Sequence, residues 1–186
     1  MSIIAVLRTL QGTLGQHGQW AIIGAVARNA WAPPRATTDL DLAVVADHAT
    51  LVAIVGALES LGYSRVREQR AEAGDPLPDI LVFRAEDTDL RQVGVLVAKT
   101  PFEDDVLRRA ETITLEELRL PVASPEGIVV YKLLADRPRD REDIRSILST
   151  QARAARPFDW SYVESWSEFW QIRDRLDRLR AELRST

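Results

Sequence analysis

The chain of 186 residues is 46% hydrophobic and 28% charged, a balance typical of a globular protein with one compact core and room for a helical extension. It has no cysteine and only two histidines, which excludes disulfides, thiolate metal sites, a cysteine nucleophile and a multi-histidine zinc site. A bound metal would therefore need carboxylate ligands, which favour Mg²⁺ or Mn²⁺. The net charge of −4 and the pI of about 5.3 argue against a broad nucleic-acid-binding surface.

The apolar pattern argues against membrane insertion and secretion. No apolar run is long enough to span a bilayer. The first residues lack the basic region, long apolar stretch and cleavage site of a secretion signal. We therefore expect no membrane association and a cytoplasmic location.

Predicted helices and strands alternate in the first half of the chain. Apolar residues at helical spacing predict helices over residues 3–15, 25–31 and 48–61. Short apolar runs predict strands over residues 19–24, 39–45, 63–67, 79–84 and 92–98. The last two strands would form a hairpin, and the polar residues 68–77 a loop.

The second half is predicted to be helical from Pro101 onward. Ser124 and Pro125 form a typical helix start, and they predict a helix to about Leu134. A further helix is expected over residues 140–148, then a linker at residues 151–157 and a long helical segment, straight or bent, over residues 159–184. The element order predicts an α/β (α+β) fold. Its domains would be an α/β core over residues 1–115 and a helical C-terminal region over residues 116–186, packed on that core.

The most informative segment is the predicted strand that begins at Asp39. Residues two apart in a strand share a face, so Asp39 and Asp41 would point the same way while Leu40 and Leu42 point into the core. Two neighbouring carboxylates repel each other and are costly to bury unless they are paired or bind a metal. We therefore expect Asp39 and Asp41 to hold Mg²⁺ (or Mn²⁺).

A candidate phosphate cradle precedes this strand. Gly24 and Ala25 end one predicted strand and open a helix, where backbone N–H groups bind anions and glycine permits a close approach. A phosphate cradle followed by a carboxylate pair suits a metal–nucleotide complex.

Two segments, in this order, resemble the nucleotidyltransferase superfamily. The first consists of Ile23, Gly24 and Ala25, followed by Arg35, Thr37, Asp39 and Asp41. The second spans residues 120–144, and its matching positions are Lys132, Arg137, Asp140 and Asp143. The resemblance covers about residues 20–148. It is closest to the small bacterial branch, which includes minimal nucleotidyltransferases and nucleotidyltransferase-like toxins of toxin–antitoxin pairs.

The resemblance implies a small mixed sheet flanked by helices and an enzyme that binds a nucleoside triphosphate with Mg²⁺. Such enzymes transfer the nucleoside monophosphate to a hydroxyl group and release pyrophosphate. The acceptor here would be a protein, an RNA or a small molecule, and a protein partner is a further expectation. Asp39 and Asp41 would be metal ligands and catalytic carboxylates. The implied nucleotide-binding residues are Gly24, Ala25, Arg35, Thr37 and Lys132.

The chain departs from the family pattern at the third carboxylate. The family supplies that group from a later strand, near residue 94, where this chain has glycine. Asp79, at the start of the preceding strand, is the nearby candidate to replace it as a catalytic residue. With only two carboxylates, a second, acceptor-activating metal would be lost. The alternative function is therefore a catalytically degenerate nucleotide-binding or regulatory module, for example a toxin–antitoxin component.

Structural roles compete with functional ones for the basic residues. Arg35 could instead form an ion pair with Asp39 or Asp41. Lys132 lies in an apolar helix, so it would contact the triphosphate or a site carboxylate, unless it lies at the helix edge with its ammonium in solvent. The segment around Arg137 would form an ion-pair cluster at a helix start.

Overall fold

The computed structural model describes residues 2–16, 18–70 and 78–184, which form eight helices and seven strands. The helices are α1 (Ile3–Leu14), α2 (Gly24–Trp31), α3 (His48–Ser60), α4 (Pro101–Arg108), α5 (Pro125–Ala135), α6 (Pro138–Arg153), α7 (Trp160–Phe169) and α8 (Arg173–Arg184). The strands are β1 (Trp20–Ile23), β2 (Asp39–Val44), β3 (Ser64–Gln69), β4 (Asp79–Arg84), β5 (Gln92–Val97), β6 (Glu111–Leu115) and β7 (Leu118–Val122). Among the described residues, no helix combines the length and the apolar character needed to cross a membrane.

The chain divides into two compact units. The first comprises Met1–Val26 and Ala36–Ala123, and the second comprises Ala27–Arg35 and Ser124–Thr186. The predicted domain boundary after residue 115 falls in the turn between β6 and β7, and it stays a prediction.

The first unit contains one mixed sheet with the strand order β3-β4-β5-β2-β1-β7-β6. β2 pairs with β5, and β1 with β7, in parallel, whereas the other neighbours are antiparallel. The predicted α/β class with a mixed sheet is therefore confirmed, and so is the hairpin of β4 and β5.

β2 lies at the centre of this sheet, and its sequence explains its burial. Leu40 and Leu42 are fully buried on one face, and beyond Asp41 both faces of the strand are covered. A strand between two neighbours in the middle of a sheet reads as such an apolar run. Only the first three residues of β2 can therefore present polar groups, and Asp39 and Asp41 lie in this accessible part of the strand.

The β6–β7 hairpin corrects the prediction that the chain is helical from Pro101 onward. α4 ends at Arg108, and two strands follow before the next helix. The alternation of buried Leu118, Leu120 and Val122 is the period-two signal that the helical prediction missed. β6 is exposed along most of its length because it forms an edge of the sheet, so it lacks an apolar run.

The second unit is helical, and its first long helix follows the prediction. The hydroxyl of Ser124 accepts a hydrogen bond from the N–H of Gly127, and Pro125 is the first helical residue. The helical segment predicted over residues 159–184, with a bend as one alternative, consists of two helices, α7 and α8, separated at Gln171, which adopts a positive φ of 54°. α6 extends to Arg153, into the predicted linker. Residues 68 and 69 of the predicted loop belong to β3, and residues 71–77 lie outside the described residues.

Candidate functional site

The carboxylates of Asp39 and Asp41 share one face at the start of β2. Both residues are half-buried, whereas Leu40 and Leu42 between and after them are fully buried on the opposite face. The strand thus presents two acidic groups side by side at the edge of an apolar core. This pair is the predicted metal site, and its binding of a divalent cation stays a prediction.

Asp41 lies in a slot between two glycines. Gly24 has a φ of +66°, and a Cβ added there would collide with Oδ2 of Asp41. Gly94 faces Asp41 across the parallel β2–β5 ladder, and a Cβ added there would lie 2.5 Å from Oδ1 of Asp41. Gly24 is therefore required both by close approach and by its left-handed backbone, whereas a Cβ at residue 94 would only force the Asp41 carboxylate to rotate. The slot fixes the carboxylate between the ends of β1 and β5.

Gly24 is the first residue of α2, directly after β1, and Ala25 follows it in the first turn. Ile23, the last residue of β1, pairs with Asp41 across the antiparallel β1–β2 ladder. The first N–H groups of a helix lack partners within the helix and attract anions. The start of α2 therefore places its first amides next to the Asp41 carboxylate, and the phosphate-binding role predicted for Gly24 and Ala25 stays a prediction.

Thr37 fastens the start of β2. Its hydroxyl donates to the carbonyl oxygen of Asp39 and accepts from the N–H of Asp39, both at 3.2 Å. The hydroxyl of Thr38 donates to Oδ1 of Asp39 at 3.1 Å. These contacts orient Asp39, so Thr37 has a structural role. Its predicted contact with nucleotide stays a prediction.

The structure does not bring Asp79 to the carboxylate pair. Asp79 pairs with Val97 in the β4–β5 ladder, whereas the residue of β5 opposite Asp41 is Gly94, three positions earlier. At about 3.3 Å per residue, Asp79 is offset by about 10 Å along the strands, and it is also two strands away. Its Oδ2 forms an ion pair with Nζ of Lys99 at 2.7 Å.

The candidate site therefore has two carboxylates. In residues 2–16, 18–70 and 78–184, no group of three or more histidine, cysteine, aspartate or glutamate side chains is placed to hold a metal ion. Gly94 faces Asp41 from β5, and it occupies the position where the family resemblance predicts the third acid.

An open cleft of about 1120 Å³ lies beside Asp39 in the first unit. Its walls come from the start of β3, the end of β4, the turn after β4 and the start of β5. Asp39, Ser64, Arg84 and Gln92 line it, together with residues of the turn. Sequence reasoning missed this cleft because it depends on the register of four strands.

The second unit contains an ion cluster with a buried centre, which we define as Arg28, Arg35, Lys132, Arg137, Asp140 and Asp143. At its centre, Nζ of Lys132 donates to Oδ1 of Asp140 at 3.0 Å and to Oδ2 of Asp143 at 2.6 Å. Lys132 is only 5% exposed, and both aspartates are 2% exposed. Lys132 therefore does not lie at the helix edge with its ammonium in solvent.

Arginines surround the two aspartates of the ion cluster. Arg35 binds Asp143 through two hydrogen bonds, from Nε at 2.9 Å and Nη2 at 2.8 Å. Arg137 likewise binds Asp140 in a bidentate manner, through Nε and Nη2. Arg35 thus pairs with Asp143, a partner that the sequence interpretation did not name. The ion cluster confirms the interpretation of the segment around Arg137 as an ion-pair cluster at a helix start.

Sequence reasoning missed Arg28, the remaining member of the cluster. Its Nε lies 3.0 Å from Oδ1 of Asp143, and its Nη2 donates to the hydroxyl of Ser146 at 2.8 Å. The available signal was a single arginine beside Ala27 in a short apolar helix, which rarely stays buried without an acidic partner.

The pKa values of Asp140 and Asp143 reflect their burial and their cationic neighbours. Burial favours the neutral form of the Asp143 carboxyl, but hydrogen bonds from Arg35 and Lys132 outweigh it, so the pKa of Asp143 lies well below its ordinary value. For Asp140, burial is likewise outweighed by hydrogen bonds from Arg137 and Lys132, and its pKa is also lowered. Both groups are charged, so the cluster holds four cations and two anions.

Several solved structures share this fold. The antibiotic-resistance factor ANT(2'')-Ia aligns with a TM-score of 0.55 at 14% identity, over 98% of this chain and 97% of that one. The lincosamide antibiotic adenylyltransferase LnuA, bound to lincomycin, aligns with a TM-score of 0.56 at 15% identity, over 81% of this chain and 98% of that one. An antigenic nucleotidyltransferase-like protein from Paracoccidioides brasiliensis aligns with a TM-score of 0.52 at 19% identity, over 94% and 90%.

The chain therefore has the nucleotidyltransferase fold, and the fold that the resemblance predicts is confirmed. No protein-family model matches the chain, and no curated protein matches its sequence. The structural likeness thus shows the class of fold and does not identify the reaction.

Proposed function

We propose that the protein binds a nucleoside triphosphate with one Mg²⁺ and transfers the nucleoside monophosphate to a hydroxyl group, releasing pyrophosphate. The observation that carries this proposal is the slot that holds Asp41 beside Asp39, between Gly24 at the start of α2 and Gly94 of β5. Carboxylates and helix-start amides are the groups that bind a metal and its phosphate ligands. Antibiotic adenylyltransferases with the same fold support the reaction class.

Each residue of the slot has a distinct task in this proposal. Asp39 and Asp41 would hold Mg²⁺, which when bound neutralises phosphate charge and supports the leaving pyrophosphate. The first amides of α2, at Gly24 and Ala25, would hold phosphate oxygens. Asp39 lines the open cleft, and it would accept the proton of the acceptor hydroxyl. The oxygen of that hydroxyl would then bond to the α-phosphorus while the bond between the α-phosphorus and pyrophosphate breaks.

In the second unit, we propose that Arg35 binds phosphate and that Lys132 acts indirectly. The ion cluster has more cations than anions, and the side chain of Arg35 is 23% exposed, so its guanidinium is accessible to an anion. Lys132 holds Asp143, and Asp143 in turn orients Arg35. Thr37 is proposed to join the nucleotide contacts while it fastens β2.

Calorimetric titration with ATP, CTP, GTP or UTP in the presence of Mg²⁺ tests the metal site. We expect Asp39→Asn and Asp41→Asn each to weaken Mg²⁺-dependent binding at least about tenfold, because each removes a charged ligand. Asp79→Asn is the matched control, since Asp79 lies on the same sheet but away from the pair, and it should leave affinity unchanged. If no triphosphate binds to the wild type, or if the three variants behave alike, the proposal is wrong.

Gly94 supports a second candidate function, a nucleotide-binding or regulatory module that has lost catalysis, such as a component of a toxin–antitoxin pair. Incubation with labelled triphosphates and cell extract separates the two: a labelled acceptor that requires Asp39 and Asp41 rules out the module. If the wild type binds nucleotide but labels nothing, Gly94→Asp should introduce labelling and Gly94→Ala should not. In both variants the new Cβ forces Asp41 to rotate, so Gly94→Ala controls for crowding.

A further inference from the structure

A row of polar residues crosses four strands of the sheet at the level of Asp39. Asp39 pairs with Gln92, Gln92 with Arg84, and Arg84 with Ser64, so the row runs from β2 through β5 and β4 to β3. Residues directly opposite each other in paired strands point to the same face of a sheet. All four side chains therefore share the face of the Asp39 carboxylate, and all four line the open cleft.

Arg84 is the cation of this row. Its Nε donates to Oε1 of Gln92 at 3.2 Å, and the residue is exposed to the cleft. Strands lie about 4.8 Å apart, so the backbone of Arg84 is about 10 Å from that of Asp39. The guanidinium is thus held by Gln92 on the path that leads to the carboxylate pair, with N–H groups left to bind an anion.

The cleft lies on the side of β2 opposite the proposed phosphate cradle. Gly24 and the start of α2 follow β1, which is one neighbour of β2, whereas the cleft is formed by β5, β4 and β3 on the other side. Phosphoryl and nucleotidyl transfer place the attacking and leaving oxygens roughly in line on opposite sides of phosphorus. With pyrophosphate leaving on the Gly24 side, the attacking hydroxyl arrives from the cleft.

The charges of the cleft restrict what it can accept. Arg84 and Arg91 line it, but so do Glu86 and Asp87 in the exposed turn after β4. A polymer of phosphates would meet both acidic residues, whereas a small molecule with one anionic group can bind at Arg84 and avoid them. Polar side chains dominate the rest of the lining, which suits a compound rich in hydroxyl groups.

We propose that this cleft is the acceptor site and that Arg84 selects a small hydroxyl compound bearing one phosphate or carboxylate group. The proposal deepens the function proposed above and rests on it, because the acceptor role requires nucleotidyl transfer at Asp39. Arginine binds either anion through two parallel hydrogen bonds, so the recognised chemistry is the same for both sources.

Binding of matched probes to ¹⁵N-labelled protein tests this site without nucleotide. Glycerol 3-phosphate, glycerate and glycerol carry a phosphate, a carboxylate and no charge on one hydroxyl scaffold. We expect glycerol 3-phosphate or glycerate, but not glycerol, to shift the backbone amide signals of Gln92 and its neighbours in the row. Arg84→Gln should weaken that binding about tenfold, the effect of losing one charge-assisted pair. Whichever anion binds identifies the source.

Arg65→Gln is the matched control, because Arg65 pairs with Phe83 and so lies on the opposite face of the same strands. Equal effects of Arg84→Gln and Arg65→Gln, shifts with glycerol as large as those with the anions, or shifts confined to the amides around Gly24 would overturn the proposal. Failure here with intact Mg²⁺–triphosphate binding would reject the acceptor site alone. Loss of triphosphate binding in the calorimetric titration would reject the proposed function itself.

Discussion

The two lysines of the chain differ in burial, and we therefore expect them to differ in their contribution to stability. Lys132 is buried between Asp140 and Asp143, whereas Lys99 forms one ion pair with Asp79 and its side chain is 42% exposed. Removing one member of a buried ion pair leaves uncompensated charge in a medium of low polarity. An exposed pair loses little because water and salt already screen it. The sequence alone does not separate these two cases.

Replacing each lysine with methionine measures the difference. We expect Lys132→Met to lower the free energy of unfolding by about 3–5 kcal/mol, because both aspartates lose their central partner. Lys99→Met should cost less than about 1 kcal/mol after allowance for solvent screening. Urea unfolding followed by circular dichroism checks both values. Similar midpoints for the two variants would show that Lys132 is not the centre of the ion cluster.

Among the elements, the sequence predicts those that bury an apolar stripe and misses those that do not. α1 places Val6, Leu7, Leu10 and Leu14 in the core at helical spacing, and it is found where the pattern predicts it. β6 is an exposed edge strand whose pairing with β7 gives it its structure, so no local pattern reveals it. The break between α7 and α8 is likewise set by the backbone at Gln171, in a segment with continuous helical preference.

α4 begins with a capping box that contains a buried acid. The hydroxyl of Thr100 accepts from the N–H of Glu103, and the Glu103 carboxylate accepts from the N–H and the hydroxyl of Thr100. Glu103 is only 2% exposed. Burial disfavours its charged form more than these hydrogen bonds favour it, so the pKa of Glu103 is raised.

Glutamine keeps the capping box and removes the buried charge. We therefore expect Glu103→Gln to stabilise the protein by about 1 kcal/mol at pH 7 and to leave it unchanged near pH 3, where the glutamate is neutral in the folded and unfolded states. Thr100→Ala, which removes the cap itself, should destabilise by about 1 kcal/mol at both pH values. Urea midpoints at the two pH values test this, and a gain for Glu103→Gln that persists at pH 3 would contradict it.

At the scale of the molecule, the candidate site was partly predictable. The acidic pair, the glycine before it and the order of the motifs are local in sequence, so Asp39, Asp41 and Gly24 could be named in advance. The placement of Asp79 and the cleft depends on strand register, which a sequence without a structure leaves open. The ion cluster gathers residues from α2, α5 and α6 and the segment before β2, so its partners could be suspected but not paired.

The response of the whole protein to acid follows from the ion cluster. Asp140 and Asp143 have lowered pKa values in the folded state, so their stabilisation is fully present above the ordinary aspartate pKa of about 3.9 and is lost as the pH falls below it. We expect the urea midpoint to fall increasingly steeply as the pH drops from about 4 toward 2. Asp143→Asn, although less stable at pH 7, should show a shallower fall over that range. An equally steep fall in this variant would show that other groups govern acid unfolding.

The apposition of Gly94 and Asp41 has a consequence for how readily the chain could change its chemistry. Codons for glycine and aspartate can differ by a single base, and the backbone at residue 94 already faces Asp41 in register. Where residue 94 is encoded by GGT or GGC, one point mutation and a rotation of one side chain separate the chain from a three-acid site. A population carrying this gene would repeatedly sample the three-acid version, so a lasting glycine at this position would reflect selection for the two-acid site.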